Sequence, residues 1–290
     1  MTSRSNDEAR QPSSIELGRR AFRRRQNSRS VLLSVASTLV FAVIVWITIV
    51  NTPGWARVQK TFFDPEVFVS SLPRVAEGFV LNLRVLFFAV IAVFIFSILI
   101  ALLRTLRGPV FFPVRALAAG YTDLFRGIPL IIVLYLVGFG IPGLRLTETR
   151  IPAEVLGIIA LTLTYSAYVS EVWRAGIEAV HPSQIQAARS LGLSHTKTMR
   201  LVVLPQALRK VTPALMNDFI SMQKDVGLIS VLGAVDAVRA AQIETSQAFN
   251  FTPYVVAGLL FVLLALPMIR LTDWYTARLR GREQVGSIVV

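Results

Sequence analysis

QIQAARSLGLSHTKTMRLVVLPQALRK, residues 184–210, reads in isolation as a DNA-binding helix-turn-helix, with a small-residue first helix, a Leu-Gly-Leu turn and a basic second helix. The rest of the chain decides otherwise. Its 290 residues are 54% hydrophobic and only 16% charged, too apolar for a soluble domain of that length, so the segment lies between membrane spans. The net charge of +13 must then be read by its position along the chain. With no cysteine, disulfide frameworks, thiolate metal sites and cysteine nucleophiles are excluded, and His181 and His195 are too few for a histidine-rich metal site.

A hydrocarbon core of about 30 Å needs roughly 20 apolar helical residues to cross it. Residues 31–50, 79–103, 153–170 and 254–271 meet that requirement. Residues 130–140 are apolar but short, so their span is expected to start near Val114 and to take in Tyr121, Asp123 and Arg126. A sixth span, from Pro213 to about Ala241, is interrupted by Asn217, Asp218, Gln223, Lys224 and Asp225 and is required by the parity of the crossings. The fold class is therefore all-α integral membrane. With the N-terminus cytoplasmic, the inner segments hold 21 of the Lys and Arg residues and the outer segments 6, which sets both termini inside. Residues 1–30 are a basic cytoplasmic tail, the first 14 of them polar enough to read as disordered. Its apolar continuation is too long for a signal peptide and lacks a cleavage site, so it is a retained span. Residues 51–77 form an outer loop in which Pro53, Gly54, Pro65 and Pro73 break helix, and residues 281–290 form a cytoplasmic C-terminal tail. Trp46, Trp55 and Trp274 fall at membrane edges, the ordinary place for an aromatic belt.

On this topology residues 175–212 are the longest internal cytoplasmic segment. Pro182 starts a helix near Ser183, Gln184, Ala187, Ala188 and Leu191 give it a small-residue face, Gly192 permits a turn and Ser194 caps a second helix. Pro205 and Pro213 are expected to punctuate the return to the membrane. A DNA reader needs its second helix free to enter a major groove, yet both ends of this hairpin re-enter the bilayer within a few residues. Close-approach residues, a fixed turn and rigid attachment to spans suit docking of a cytoplasmic partner instead. A solvated amphipathic loop is the plainer reading.

Gln186-Ala187-Ala188, then Gly192, then Val202-x-Leu204-Pro205 resembles the Glu-Ala-Ala-x3-Gly-x9-Ile-x-Leu-Pro signature of the permease subunits of bacterial ABC importers. The flanks YTDLFRGIPLIIVLYLVGFGIP, SAYVSEVWRAGIEAVHPSQ and LPQALRKVTPALMNDFISMQKDVGLISVLG are similar to the polar amino-acid branch. The resemblance covers about residues 78–280 and makes the first span additional to a five-span core. It implies that the hairpin docks an ABC ATPase, through Gln186, Ala187, Ala188, Arg189, Leu191, Gly192, Leu193 and Pro205. It further implies an extracytoplasmic solute-binding protein, a second permease copy or a paralogue, an amino-acid substrate, and residence in a bacterial inner membrane. Gln186 stands where the family has Glu, Asn82 where many relatives have Thr, and KDVGL replaces KDTSL.

No Gly-x4-Gly-Lys phosphate loop occurs, so hydrolysis is assigned to the partner and the chain itself is not an enzyme. No cofactor and no nucleic acid are expected. Both histidines lie in the hairpin, away from any span that could hold a triad. Ionisable residues within spans cost about 2.5–3.5 kcal/mol each on insertion scales and are functional candidates for that reason. Arg126 can pair with Asp123 one turn away, and Gly127 and Pro129 break the helix beside it, exposing backbone groups. Lys224 and Asp225 point about 100° apart, so each needs a partner on another span. Asn82, Arg126, Gly127, Pro129, Asn217, Gln223, Lys224 and Asp225 are thus the candidates for the translocation path or gate, with helix packing the more ordinary role for Asn217 and Gln223. Glu171 and Arg174 are expected to form an interfacial ion pair. The alternative to an ATP-driven importer is a secondary transporter in which Lys224 and Asp225 titrate.

Overall fold

The computed structural model describes residues 14–106, 108–145 and 149–286, with side chains for 30–106, 108–145 and 149–279. The polar tail expected at the start of the chain lies largely outside the described residues, as do Arg107 and the last four residues. Every regular element among the described residues is helical. The chain divides into two compact units after residue 59.

The first unit is dominated by α1 (Ser14–Val50). None of its apolar stretch Ser30–Val50 is buried, as expected of a helix whose solvent is lipid. The basic tail and the first span are therefore one continuous helix from Ser14 onward.

A short helix, α2 (Trp55–Phe62), leads into the second unit, whose longest helix is α3 (Pro65–Thr105). Its 41 residues reach about 60 Å at 1.5 Å each, twice the thickness of a hydrocarbon core. Asp64 caps it by accepting from the Glu66 and Val67 amides, and Pro65 occupies the first turn, where a missing N–H costs nothing. The expected outer loop is corrected here. Pro65 starts a helix, and Pro73 lies inside it.

The segment expected to cross once from Val114 is two helices, α4 (Phe112–Gly127) and α5 (Leu130–Gly143), bent by 107° at Ile128-Pro129. Pro129 has no N–H to continue the ladder, and Ile128 before it is extended at φ −99°, ψ 129°. α6 (Ala153–Glu178) is the central helix, packed against α3, α4, α5 and a later helix, Leu204–Asp225. Its small residues Ala160, Ser166, Ala167 and Ser170 are fully buried, which lets neighbouring backbones come close. Val85, Ala89, Val93, Leu134, Leu161, Met222 and Ile229 form the core around it.

The hairpin consists of α7 (Pro182–Ser190), a turn at Leu191–Leu193, and α8 (His195–Thr198). Gly192 sits at φ +80°, a left-handed conformation that a side chain resists, and the Ser194 hydroxyl accepts from the Lys197 amide. From α8 the chain passes through a π-helical turn, Met199–Val203, straight into α9 (Leu204–Asp225). Pro205 and Pro213 do not punctuate this path as expected. Leu204 N–H reaches back five residues to the Met199 carbonyl, and that wide turn accommodates Pro205, while Pro213 is carried inside α9. After α9, a 3₁₀ segment (Val226–Leu232) and α10 (Ala237–Ala248) meet at a 53° bend, so the sixth expected span is also broken. α11 (Thr252–Gly286) closes the fold. Among the described residues four helices are long and apolar enough to cross a membrane, or up to six spans if each bent pair makes one.

Candidate functional site

Where α4 breaks into α5, a cavity of about 490 Å³ opens against α6 and α9, a size within the range of small-molecule sites. Arg126, Gly127, Ile128, Pro129 and Leu130 form one wall, Thr164, Tyr165 and Tyr168 of α6 a second, and Asp218, Ser221 and Asp225 of α9 a third. The backbone break places the start of α5 at the cavity with no side-chain cap; the Ile132 and Val133 amides donate to the Pro129 carbonyl, which leaves the N–H groups of Leu130 and Ile131 to meet an anion. Asp218 and Asp225 are seven residues apart and therefore share one face of α9.

The polar groups divide into spent and unspent. Tyr165 Oη donates to Asp225 Oδ2 at 2.7 Å, and Tyr168 Oη donates to the Arg126 carbonyl at 3.2 Å. The Arg126 guanidinium lies 5.9 Å from the centre of the Tyr168 ring, a cation–π contact. The expected pairing of Arg126 with Asp123 does not occur among the described residues; both are exposed, and the guanidinium has turned to Tyr168. Thr164 Oγ1 and Asp218 Oδ2 are buried without any hydrogen-bond partner, which leaves an acceptor and a hydroxyl at the cavity for something else to satisfy. Asp218 also borders a smaller apolar void of about 140 Å³ with Val90, Phe94 and Met222.

Of the residues singled out for the path, Arg126, Gly127, Pro129 and Asp225 line this cavity together, while the other four lie elsewhere. Asn82 is buried and acts as a staple. Its amide donates to Asp236 Oδ2 at 2.9 Å and to the Val226 carbonyl at 3.2 Å, and its oxygen accepts from the Ala237 amide at 3.0 Å. Gln223, fully buried, donates to the Phe261 carbonyl at 3.0 Å and so ties α9 to α11. Asn217 and Lys224 are exposed, and with Ala214 and Ser221 they form a continuous exposed stripe on α9.

Sequence reasoning missed Asp218, Ser221, Thr164, Tyr165 and Tyr168 as site residues. The seven-residue spacing of the two aspartates was the available signal on α9, and the Thr-Tyr-Ser-Ala-Tyr run was the signal on α6. The Glu171–Arg174 pair forms at 2.8 Å, and it belongs to a larger cluster. Arg104 of α3 also pairs with Glu171 and donates to Thr122 of α4 at 2.9 Å, while Arg174 pairs with Glu178 at 2.6 Å. The Arg104 guanidinium thus joins three helices, α3, α4 and α6, just before the hairpin.

In the hairpin, Gln186, Ala187, Arg189, Leu191, Gly192 and Pro205 are exposed and Leu193 is half-buried. Ala188 faces inward at 5% exposure, and its carbonyl accepts from the Leu193 amide at 3.2 Å to hold the turn. Leu191, at 83% exposure, is the large apolar side chain the turn presents outward.

Residues 109–281 match the family model described as binding-protein-dependent transport system inner membrane component. The arginine transport system permease protein ArtQ of Bacillus subtilis is 33% identical over 70% of this chain and 91% of its own length. A probable amino-acid ABC transporter permease, y4tG of Sinorhizobium fredii, is 35% identical over 71% of this chain and 88% of its own. Among solved structures, an amino acid ABC transporter crystallised with histidines superposes with a TM-score of 0.66 and 35% identity, covering 72% of this chain and 96% of that one. The MetNI methionine ABC transporter shares the fold, at a TM-score of 0.55 and 20% identity.

Proposed function

Because this chain belongs to the binding-protein-dependent inner-membrane transport components, we propose that it forms the membrane pathway of an ATP-driven importer of polar amino acids. An extracytoplasmic binding protein delivers the solute, and a separate ATPase docks on the hairpin. Both termini and the hairpin face the cytoplasm in this reading, which the distribution of Lys and Arg supports.

The observation that carries this reading is the cavity at the α4–α5 break. It offers both signs of charge a zwitterion needs. The first N–H groups of α5 and the Arg126 guanidinium suit an α-carboxylate, and Asp218 and Asp225 suit an α-ammonium. Neither charge is left facing hydrocarbon when a zwitterion is bound. The exposed stripe of Asn217, Ser221 and Lys224 on α9 cannot face lipid at low cost, which supports a second permease copy or a paralogue across the pathway. Motion is switched by ATP through the hairpin. The ion-pair cluster on Glu171 ties the hairpin's approach helix α6 to α3 and α4, so a push on the hairpin moves the cavity walls as a body.

The test is uptake by the complete complex in proteoliposomes, with Asp218→Asn and Asp225→Asn compared against wild type. Loss of uptake with the ATPase still bound supports the cavity as the path. Normal uptake by both variants rejects it.

A further inference from the structure

At the hairpin end of α11, Trp274, Tyr275, Arg278 and Leu279 face Arg209 of α9 across a separate cavity of about 250 Å³. We infer that this cavity holds the phosphodiester of an anionic phospholipid headgroup.

The charge argument comes first. Among the described residues neither Arg209 nor Arg278 has an ion-pair partner, and Asp273, next to Trp274 on α11, pairs with Arg270 at 4.0 Å. Two guanidiniums facing one cavity with no carboxylate among its described lining residues call for an anion, and the guanidinium fork matches phosphate oxygens. The Arg278 guanidinium is already held 5.3 Å from the centre of the Trp274 ring, so little freedom is lost when the anion arrives.

Depth selects a lipid over a soluble anion. The apolar helix Thr252–Leu279 has 28 residues, about 42 Å at 1.5 Å per residue, against a hydrocarbon core of about 30 Å. If the core begins near Thr252 it ends near Leu271, and Trp274 and Arg278 then lie about 5 and 10 Å beyond it, in the headgroup layer. Trp and Tyr belong at that level. Leu271, one turn deeper on the same face and 46% exposed, continues the wall as apolar surface for an acyl chain. Which leaflet supplies the lipid follows from the orientation proposed above; recognition of the headgroup does not depend on it.

The experiment offers the purified complex in detergent an equal mixture of phosphatidylglycerol and phosphatidylcholine and reads the retained lipid by native mass spectrometry. Wild type retains phosphatidylglycerol preferentially, and Arg209→Gln and Arg278→Gln each reduce that retention about fivefold. Arg270→Gln, whose charge lies outside the cavity, leaves it unchanged. Equal retention of the two lipids by wild type overturns the inference without any variant being needed. So does an equal loss in Arg270→Gln, or displacement of the lipid by millimolar inorganic phosphate, which marks a small-anion site. Because the readout is lipid and not transport, a failure here leaves the importer reading standing, and a failure of the importer reading leaves this one.

Discussion

Asp218 concentrates the argument at the scale of single residues. Its Oδ2 is buried beside a cavity with no partner, whereas seven residues on Asp225 is already bonded to Tyr165. A charge-assisted hydrogen bond is worth about 1.5–3 kcal/mol, so Asp218→Asn is expected to weaken uptake roughly 10- to 100-fold while leaving basal ATP hydrolysis in place, measured as initial rates in proteoliposomes. Gly78 makes a purely structural prediction. A Cβ there would stand 2.5 Å from the Asp236 carbonyl carbon and 2.7 Å from the Ala237 nitrogen, and backbone cannot yield as a side chain tip can. Gly78→Ala should therefore cost about 1–3 kcal/mol as overpacking and lower the melting temperature of the complex. The same contact explains why Asn82 is a staple: it holds α10's first turn and the Asp236 carboxylate against α3. Asn82→Leu leaves a buried carboxylate oxygen without its amide, an expected cost of about 1–3 kcal/mol, read by thermal denaturation. None of this was legible beforehand, since Asp236 lies 154 residues from Asn82 and no local pattern joins them.

Among the elements, the hairpin was the most legible because its instructions are local. Pro182 at the helix start, Gly192 at positive φ and Ser194 at the second cap each act within a few residues of themselves. The helix break at Gly127 to Pro129 was readable for the same reason, though not the 107° bend that turns it into a cavity wall. Pro205 and Pro213 misled because a proline's missing N–H is harmless when a π-turn or neighbouring helices satisfy the freed carbonyls. The burial of Ala188 and exposure of Leu191 also change how the hairpin should be probed. A bulky charge at Ala188 would disrupt the hairpin's own packing, whereas Leu191→Glu alters only an outward apolar contact. Leu191→Glu is expected to lower ATPase retention at least tenfold, by analogy with a central apolar anchor worth about 2 kcal/mol, while the chain still inserts and purifies normally. Co-purification from detergent extracts checks this.

For the whole molecule, the all-α character followed from hydropathy, whereas the number of crossings did not, because two of the six expected spans are helix pairs bent by 107° and 53°; what bears on assembly is the surface the fold leaves exposed. A polar stripe on α9, from Ala214 through Asn217 and Ser221 to Lys224, is uncovered, whereas the exposed residues of α1, α5 and the membrane-spanning part of α11 are mostly apolar. Such a stripe calls for water or another subunit. The absence of cysteine makes this directly testable, since Asn217→Cys or Lys224→Cys introduces the chain's sole thiol. Oxidative cross-linking between permease copies, or to a paralogue carrying its own single cysteine, is expected at these positions and not at Leu263, an apolar residue 69% exposed in the middle of an apolar span. The central claim is that transport through this chain is driven by ATP hydrolysed on a partner docked at the hairpin. Its most direct test is uptake of labelled amino acid into proteoliposomes holding the complete complex and its binding protein, with wild type and Leu191→Glu compared with and without internal ATP. The account predicts ATP-dependent uptake by wild type and none by Leu191→Glu. Equal uptake by both without ATP, driven by an imposed proton or sodium gradient, would contradict it and return the intramembrane charges to the centre of the mechanism.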